Sequence, residues 1–418
     1  MGPTSLSATP WSRAGRAFLP AWLSSVMKVK RLPEDFQVEE LTTVGEANRG
    51  RHTFYRLTKR GLGTLEAVEI ICRRWNLAGR QVSYGGLKDR HAVTIQYLTI
   101  LDGPRRPLRE SSMTLEPVGR LPHPYGPRHF SGNRFSIVLR DLSPEQAAQA
   151  VAALDALPGD GLPNYFDDQR FGSVGFSGQF IGHAWLKGDH ERALRLALAE
   201  PNPFDRPGIK TQKAIVRECW GRWSEAKARL ERSSTRSIVT YLVDHPSDFR
   251  GAFARLKREL RTLQFSAFQS HLWNLLLSGW ITRQTRSDQR VMVDLKLGPL
   301  AFPFRLDPEE RKAIEGPPLP LPSARTPRPA GALGELVGEV LGAFELEWND
   351  LRVRHLKDVF FSKGTRPALV APSNLQAGAI DDELHPKRQA LRMSFDLNRG
   401  SYATILIKRI TQAAEPAR

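Results

Sequence analysis

Asp89 carries the sharpest chemical signal in the chain. It stands in Gly85-Gly86-Leu87-Lys88-Asp89-Arg90-His91, where the glycine pair marks a turn and the following residues, Thr94 to Ile100, read as a strand. Cations on both sides favour the ionised carboxylate, and an ionised, fixed aspartate can act as nucleophile or base without a metal. The same pattern also suits a surface charge cluster. Neighbouring residues on an extended chain point to opposite faces, so Lys88 and Arg90 cannot both face the carboxylate. A specific ion pair would have to come from elsewhere, and Lys30, in Lys30-Arg31-Leu32-Pro33-Glu34-Asp35-Phe36, is the candidate. Taken alone, that segment is a Pro-containing turn leading into a strand. Phe135, after Gly132-Asn133-Arg134, fits a core aromatic at the start of a strand. It equally fits a ring that stacks on an extruded base while Asn133 hydrogen-bonds the polar edge.

Around these residues basic and aromatic side chains interleave: Arg51, His52, Phe54, Tyr55 and Arg56; Arg105, Arg106 and Arg109; Arg120, His123, Tyr125, Arg128 and His129. Each cluster could be a solvated face, but three of them suit a phosphate-binding surface with stacking positions. The 418 residues contain 61 Lys and Arg against 44 Asp and Glu, a net charge of +17, which points to a polyanionic partner. An apolar fraction of 40% excludes a disordered or collagenous chain. Two cysteines, Cys72 and Cys219, make no disulfide framework, and a reducing cytoplasm is expected. Zinc-type Cys pairs, His-Glu-x-x-His and a Walker loop are absent, so no metal and no nucleotide cofactor is expected. The apolar runs are too short for a membrane-spanning helix. Residues 1–26 read as a poorly ordered extension with only a faint likeness to a signal peptide, and Met27 as a second candidate start.

The elements that must position these groups follow from periodicity. Phe36, Val38 and Glu40 alternate with Gln37, Glu39 and Leu41, predicting a strand, and Thr53 to Thr58 predicts another. Thr64 is the expected cap of a helix carrying Leu65, Val68, Cys72 and Trp75. Arg134 to Arg140 alternates as a strand. Ser143-Pro144-Glu145-Gln146 opens a helix that ends near Leu157, before Pro158-Gly159-Asp160-Gly161. Helical spacing then dominates, over 189–199, 224–232, 265–283 and 331–344, with an exposed Pro-rich loop at 317–329. Strand alternation returns at Leu391, Met393 and Phe395, while Ser401 to Thr411 fits either period. Strands, then helices, then strands predict a sheet domain interrupted by a helical insertion.

With these motifs assembled, the chain resembles the TruD family of pseudouridine synthases. Lys30-x-x-Pro33-Glu34-Asp35-Phe36 with Val38 and Glu39, Gly86-Leu87-Lys88-Asp89-Arg90-His91-Ala92-Val93-Thr94 with Gln96, Gly132-Asn133-x-Phe135, Asn164-Tyr165-Phe166 with Gln169-Arg170-Phe171-Gly172, and Gly400-Ser401-Tyr402-Ala403-Thr404 are similar to five family motifs, in order. One departure is Asp167, where the family usually has Gly. The resemblance implies an α+β protein: a catalytic domain on a mixed, largely antiparallel sheet with flanking helices, residues 27–160 and 371–412, interrupted by a mostly helical insertion, residues 161–370. It implies an enzyme with a tRNA partner and uridine 13 as the family-typical target; with no heptad pattern in the sequence, a monomer is expected. Asp89 would be the catalytic carboxylate, as nucleophile or proton abstractor, with Lys30 paired to it. Phe135 would stack on the flipped uracil and Asn133 would hold it. Lys88, Arg90, Gln96 and Glu39, from the same motifs, would complete the substrate-binding set. The competing expectations are a non-catalytic RNA-binding protein or RNA chaperone using the same basic cleft, and a DNA-binding or nuclease domain. A nuclease would want paired carboxylates at a spacing this sequence lacks.

Overall fold

The computed structural model describes residues 28–29, 31–45, 48–316 and 318–413. Its chain forms two compact units, one running to residue 162 and resuming at 370, the other spanning 163–369. Together they make an α+β protein.

The first unit is built on one ten-stranded sheet. Its strands are β1 (Phe36–Thr42), β2 (His52–Arg60), β3 (Val82–Tyr84), β4 (Val93–Leu101), β5 (Leu108–Glu110), β6 (Met113–Leu121), β7 (Phe130–Leu142), β8 (Ser373–Asp381) and β9 (Gln389–Asn398), plus the two-residue piece Lys28–Val29. The order is β8-β9-β7-β1-β4-β2-β6-β5, with β3 added to β4 and Lys28–Val29 to β7. Every pairing in it is antiparallel except β1 with β4, where Val38 lies opposite Thr94. Those two central strands therefore begin at the same end of the sheet.

Alternation sends one set of side chains to a covered face. Helix α1 (Thr64–Trp75) lays Ala67 and Ile71 on Tyr55, Leu57, Leu98, Ile100, Met113 and Leu115. Helix α2 (Pro144–Asp160) packs on β8 and β9, and α3 (Ala403–Ala413) packs on α2. Burial of these apolar faces is the main force holding the layers together.

Local chemistry explains most element ends. Ser143 Oγ accepts the Gln146 N–H (3.2 Å) and Gln146 Oε1 accepts the Ser143 N–H (2.9 Å), closing the expected capping box. The helix it opens runs past Pro158, however. Proline removes one backbone donor but leaves the turn intact, and the buried Asp160–Arg409 pair (3.3 Å) holds that last turn until Gly161, at φ +71°, ends it. The cap of α1 is also shifted by one residue. Gly63 takes that place, its N–H bonded to Glu66 Oε2 (2.9 Å), which leaves the Thr64 hydroxyl for another task. The ambiguous segment after Ser401 is helical, because Ile405, Leu406 and Ile410 are all buried. The turn Pro33–Asp35 that feeds β1 is fixed by the buried Asp35 carboxylate, which accepts the Leu32 N–H (2.9 Å) and pairs with Arg140 (2.9 Å).

In the second unit helices predominate. A 27-residue helix, Arg258–Gln284, buries Phe265, Phe268, Leu272, Trp273, Leu276 and Leu277, and is packed against by Ile181–Leu186 and Gly331–Gly342. An antiparallel hairpin, Arg290–Leu295 with Gly298–Pro303, lies along it. The Pro-rich segment is not simply exposed: Leu319–Pro320 pairs with Thr365–Arg366, and Ser323 is fully buried with its hydroxyl on the Phe361 carbonyl. Asp167 has φ −79°, which any residue adopts, so the departure from Gly costs nothing in backbone strain.

Candidate active site

Loop 85–92 delivers Asp89 to the start of β4, and buried groups fix it from three sides. Gly85 lies so close to the ring of Phe130 that a Cβ there would stand 2.9 Å from it, and 3.2 Å from Glu40 Oε2. From the α1 side, the Thr64 hydroxyl accepts the Lys88 main-chain N–H (2.9 Å) and donates to Gln96 Oε1 (2.8 Å). From beneath, the Lys59 ammonium donates to the Asp89 carbonyl (3.0 Å) and the Leu62 carbonyl (2.6 Å). Asp89 itself is half-buried, and its Oδ1 accepts the His91 N–H (3.2 Å), a local turn that orients the carboxyl.

The two flanking cations part, because loop 85–92 is not a regular strand, in which residues two apart would share a face. Arg90 is exposed and pairs with Glu66 (3.1 Å) at the first turn of α1. Lys88 turns inward, 3.0 Å from Glu40 Oε2 and 2.6 Å from Asn133 Oδ1, with its ammonium 4.8 Å from the Phe130 ring centre. Glu40 is 1% exposed and also accepts the Tyr125 hydroxyl (2.8 Å) and the Tyr97 N–H (3.3 Å). Burial, and next the Glu40 charge, push the Tyr125 hydroxyl far above its ordinary pKa, so it remains a donor. The bond from Lys88 has a chemical consequence. With the Asn133 carbonyl oxygen engaged by a cation, the amide presents its N–H groups, the polarity that recognises a carbonyl acceptor.

Register brings Asn133 there. On β7, Asn133 stands opposite Glu40 and Phe135 opposite Val38. Gly132 permits it: a Cβ at that position would meet the Leu397 carbonyl oxygen at 2.2 Å, so only glycine allows β9 to approach. Phe135 is 6% exposed, stacked on Phe395 (5.5 Å between centres) and edge-on to Phe36 (6.2 Å). It is thus a core side chain at the same face as Asn133, with little ring left uncovered.

Other expected positions fall elsewhere. Glu39 pairs in register with Arg134 and Ile95, on the sheet face opposite Glu40 and Asn133. A one-residue step along a strand reverses the side, so Glu40, not Glu39, reaches this group of residues. Gln96 is fully buried and bonded to Thr64, which makes it a support for the loop rather than a contact surface. Lys30 lies outside the described residues, as do residues 1–26 and Met27. The basic–aromatic clusters split by chemistry: Phe54, Tyr55 and Tyr125 are buried, whereas Arg105, Arg106, Arg109, His123 and Arg128 are exposed. Those patches offer charge, not stacking.

Three residues at this site, Glu40, Thr64 and Lys59, were not expected from sequence as site residues. Lys59 is 1% exposed, and burial lowers its pKa to about 8, against the pull of the Asp89 charge. Its signal was present in the alternation, since Lys59 follows Tyr55 and Leu57 on the buried side of β2. Among the described residues no group of three or more His, Cys, Asp or Glu side chains is placed to hold a metal ion. No described helix is long and apolar enough to cross a membrane.

Comparison with known proteins bears on the whole chain. A model of the family "tRNA pseudouridine synthase D (TruD)" matches residues 24–410. A probable tRNA pseudouridine synthase D 1 of Methanococcus maripaludis is 29% identical over 92% of this chain and 99% of its own length. A probable tRNA pseudouridine synthase D 2 of Methanocaldococcus jannaschii is 30% identical over 92% of this chain and 91% of its own. The tRNA pseudouridine synthase D of Leptospira interrogans is 27% identical over 92% and 96%. Among solved structures, a putative tRNA pseudouridine synthase D from Methanosarcina mazei superposes with a TM-score of 0.70 at 26% identity, covering 92% of this chain and 93% of the other. By the extent of these matches, the chain belongs to the tRNA pseudouridine synthase D family.

Proposed function

We propose that this chain isomerises uridine in tRNA to pseudouridine, with Asp89 as the reacting carboxylate and a uridine extruded from the RNA as its substrate. The observation that carries the reading is the pinned loop: Lys88 bonds Asn133 (2.6 Å) one residue before Asp89, coupling the carboxylate's position to a base-recognising amide. In the reaction the N1–C1′ bond breaks, the uracil turns, and C5 bonds to C1′. N1 ends with a proton and C5 loses one, so atoms balance without a co-reactant. Asp89 acts on the sugar, as nucleophile at C1′ or as base toward a ribose proton. Asn133 donates to a uracil carbonyl. Lys88 holds Asn133 in that orientation, and Phe135 would meet the base with the small part of its ring that Phe395 and Phe36 leave uncovered. Lys30 is the proposed partner of Asp89; the parallel pairing of β1 and β4 supports this, because the turn Pro33–Asp35 and loop 85–92 enter their strands at one end of the sheet. Arg90 and the exposed arginines at 105, 106, 109 and 128 would meet phosphate. Extruding the base costs a few kcal/mol, which these phosphate contacts offset. Uridine 13 is the proposed target, and the proposed setting is a monomer in the cytoplasm, with Cys72 and Cys219 as thiols.

Tritium release from tRNA carrying 5-tritiated uridine tests the reading, because the C5 hydrogen must leave. Release is expected from the wild type and not from Asp89→Asn, with tRNA binding retained in both. Binding without release by the wild type would favour the RNA-chaperone reading. Equal release by both proteins would remove Asp89 from the reaction.

A further inference from the structure

Lysine is the residue least expected at the fourth inward position of β2. Its neighbours in register, Thr94 on β4 and Met113 on β6, are uncharged, and a leucine or methionine would fill the same space without desolvating a charge. What the ammonium does there is specific. It takes the carbonyl of Leu62, in the loop that starts α1, and the carbonyl of Asp89, in the loop that carries the proposed catalytic group. Lys59 thus ties the two loops through their carbonyls, beside the Thr64–Lys88 bond and the Arg90–Glu66 pair. The charged groups acting on it are Asp89 and Lys88 from loop 85–92 and Glu66 from α1; the two carboxylates favour its charged form and Lys88 opposes it.

We infer that Lys59 is a positioning residue for the proposed reaction: its buried ammonium clamps the Asp89 main chain and holds the carboxylate at its working place and in a fixed positive field. The inference rests on the proposed role of Asp89. Charge-assisted hydrogen bonds are about twice as strong as neutral ones, so the clamp is firm only while Lys59 is protonated. Burial brings that proton's loss to about pH 8, whereas an exposed lysine would hold it beyond the range of ordinary assays. The rate of the chemical step is therefore expected to fall as pH rises through that value, with tRNA affinity little changed.

The test is the single-turnover rate of tritium release by the full-length protein between pH 6 and 10, with tRNA affinity measured in parallel. Lys59→Met is expected to lose about 10–100-fold in rate, the scale of a small misplacement of a catalytic group, with affinity changed less than about twofold. Lys59→Arg, charged throughout, is expected to recover most of that loss and to keep its rate above pH 8. A wild-type rate that stays flat to pH 10, an alkaline fall identical in Lys59→Arg, or a folded Lys59→Met of wild-type rate each overturns the inference. The wild-type and Lys59→Arg profiles together decide the matter even where Lys59→Met does not fold. An inactive Asp89→Asn beside a fully active Lys59→Met would refute the clamp alone; an active Asp89→Asn would refute the reading beneath it.

Discussion

Losing both members of the Lys88–Glu40 pair should harm the fold much less than the two single losses added together. The Lys88 and Glu40 side chains are 8% and 0% exposed, with 3.0 Å between Nζ and Oε2. At an effective dielectric constant of about 20, a contact of that length is worth about 5–6 kcal/mol in gross attraction, most of it consumed by desolvation. Glu40→Gln keeps an acceptor for Tyr125 and Tyr97 but leaves a buried ammonium without its counter-charge. Breaking a buried pair from one side costs roughly 3–5 kcal/mol, and that is the destabilisation expected. Lys88→Met should cost a comparable amount by stranding the carboxylate. The double variant should come out well short of the sum, with a coupling energy of roughly 2–3 kcal/mol, since the two groups touch. Urea unfolding at neutral pH measures all four proteins, with m-values checked for constancy. Single-turnover rates then read the functional side: without Lys88 held in place, Asn133 loses the bond that sets its amide, and a fall of about 10–100-fold is expected in each folded single variant. A coupling energy under about 0.5 kcal/mol would refute the energetic reasoning. A destabilised Glu40→Gln with a wild-type rate would show that the pair supports the fold without aligning the site.

Thr64→Val removes the oxygen that joins Lys88 N–H to Gln96, leaving buried partners unmet. A loss of roughly 1–3 kcal/mol in urea unfolding and a slower chemical step are expected, and unchanged stability would deny the relay its role. Gly132→Ala should separate β9 from β7 beside Asn133, and should lower Tm and tritium release together; a variant with wild-type values would show the approach to Leu397 to be slack. Asp382 feels burial that raises its pKa, outweighed by the N–H groups of Leu384 and Asp141, by His385 and by Arg140, so its carboxyl sits well below the usual range. That depressed pKa stabilises the fold above about pH 4, and the contribution is lost as pH falls below it; Asp382→Asn should flatten this acid limb, and an unaltered limb would contradict the assignment. Affinity for tRNA should fall with salt by roughly 0.7–0.9 log units per phosphate contact for each tenfold rise, and a flat response would argue against the exposed arginines as the binding surface.

How much of this was legible in the sequence depends on where each residue's partner lies. Strands with one buried face announce themselves, so Phe36, Val38 and Glu40 or Leu391, Met393 and Phe395 can be placed by alternation alone. The cap at Ser143 is local and equally plain. β8, by contrast, is a largely exposed edge strand with no apolar period to show, and β6 is interrupted by Pro117 and Gly119. At the site, the Asp89 loop was evident from its glycines and charges. Glu40, Lys59 and Thr64 were not, because the groups they serve, Lys88, Asp89 and Gln96, lie 48, 30 and 32 residues away. Only the sheet pairing brings them together. The choice between Glu39 and Glu40 turns on a single step of alternation, and a motif match cannot say which of two adjacent carboxylates faces the loop.

The residues around Asp89 are charged where packing alone would choose otherwise. Lys59, Glu40 and Lys88 are all withdrawn from water, and each ends on a group belonging to loop 85–92 or to Asn133. Hydrophobic replacements of similar volume would usually serve the fold as well or better. Their common feature is direction: an ammonium clamps a particular carbonyl, and a carboxylate holds a particular ammonium against a particular amide. Apolar contacts are too indifferent to rotation to do this. With Asp89 in its proposed role, a reaction that severs and remakes bonds on one sugar carbon while a base turns needs the carboxylate fixed more strictly than the base, and buried ionic bonds to the main chain would supply that asymmetry.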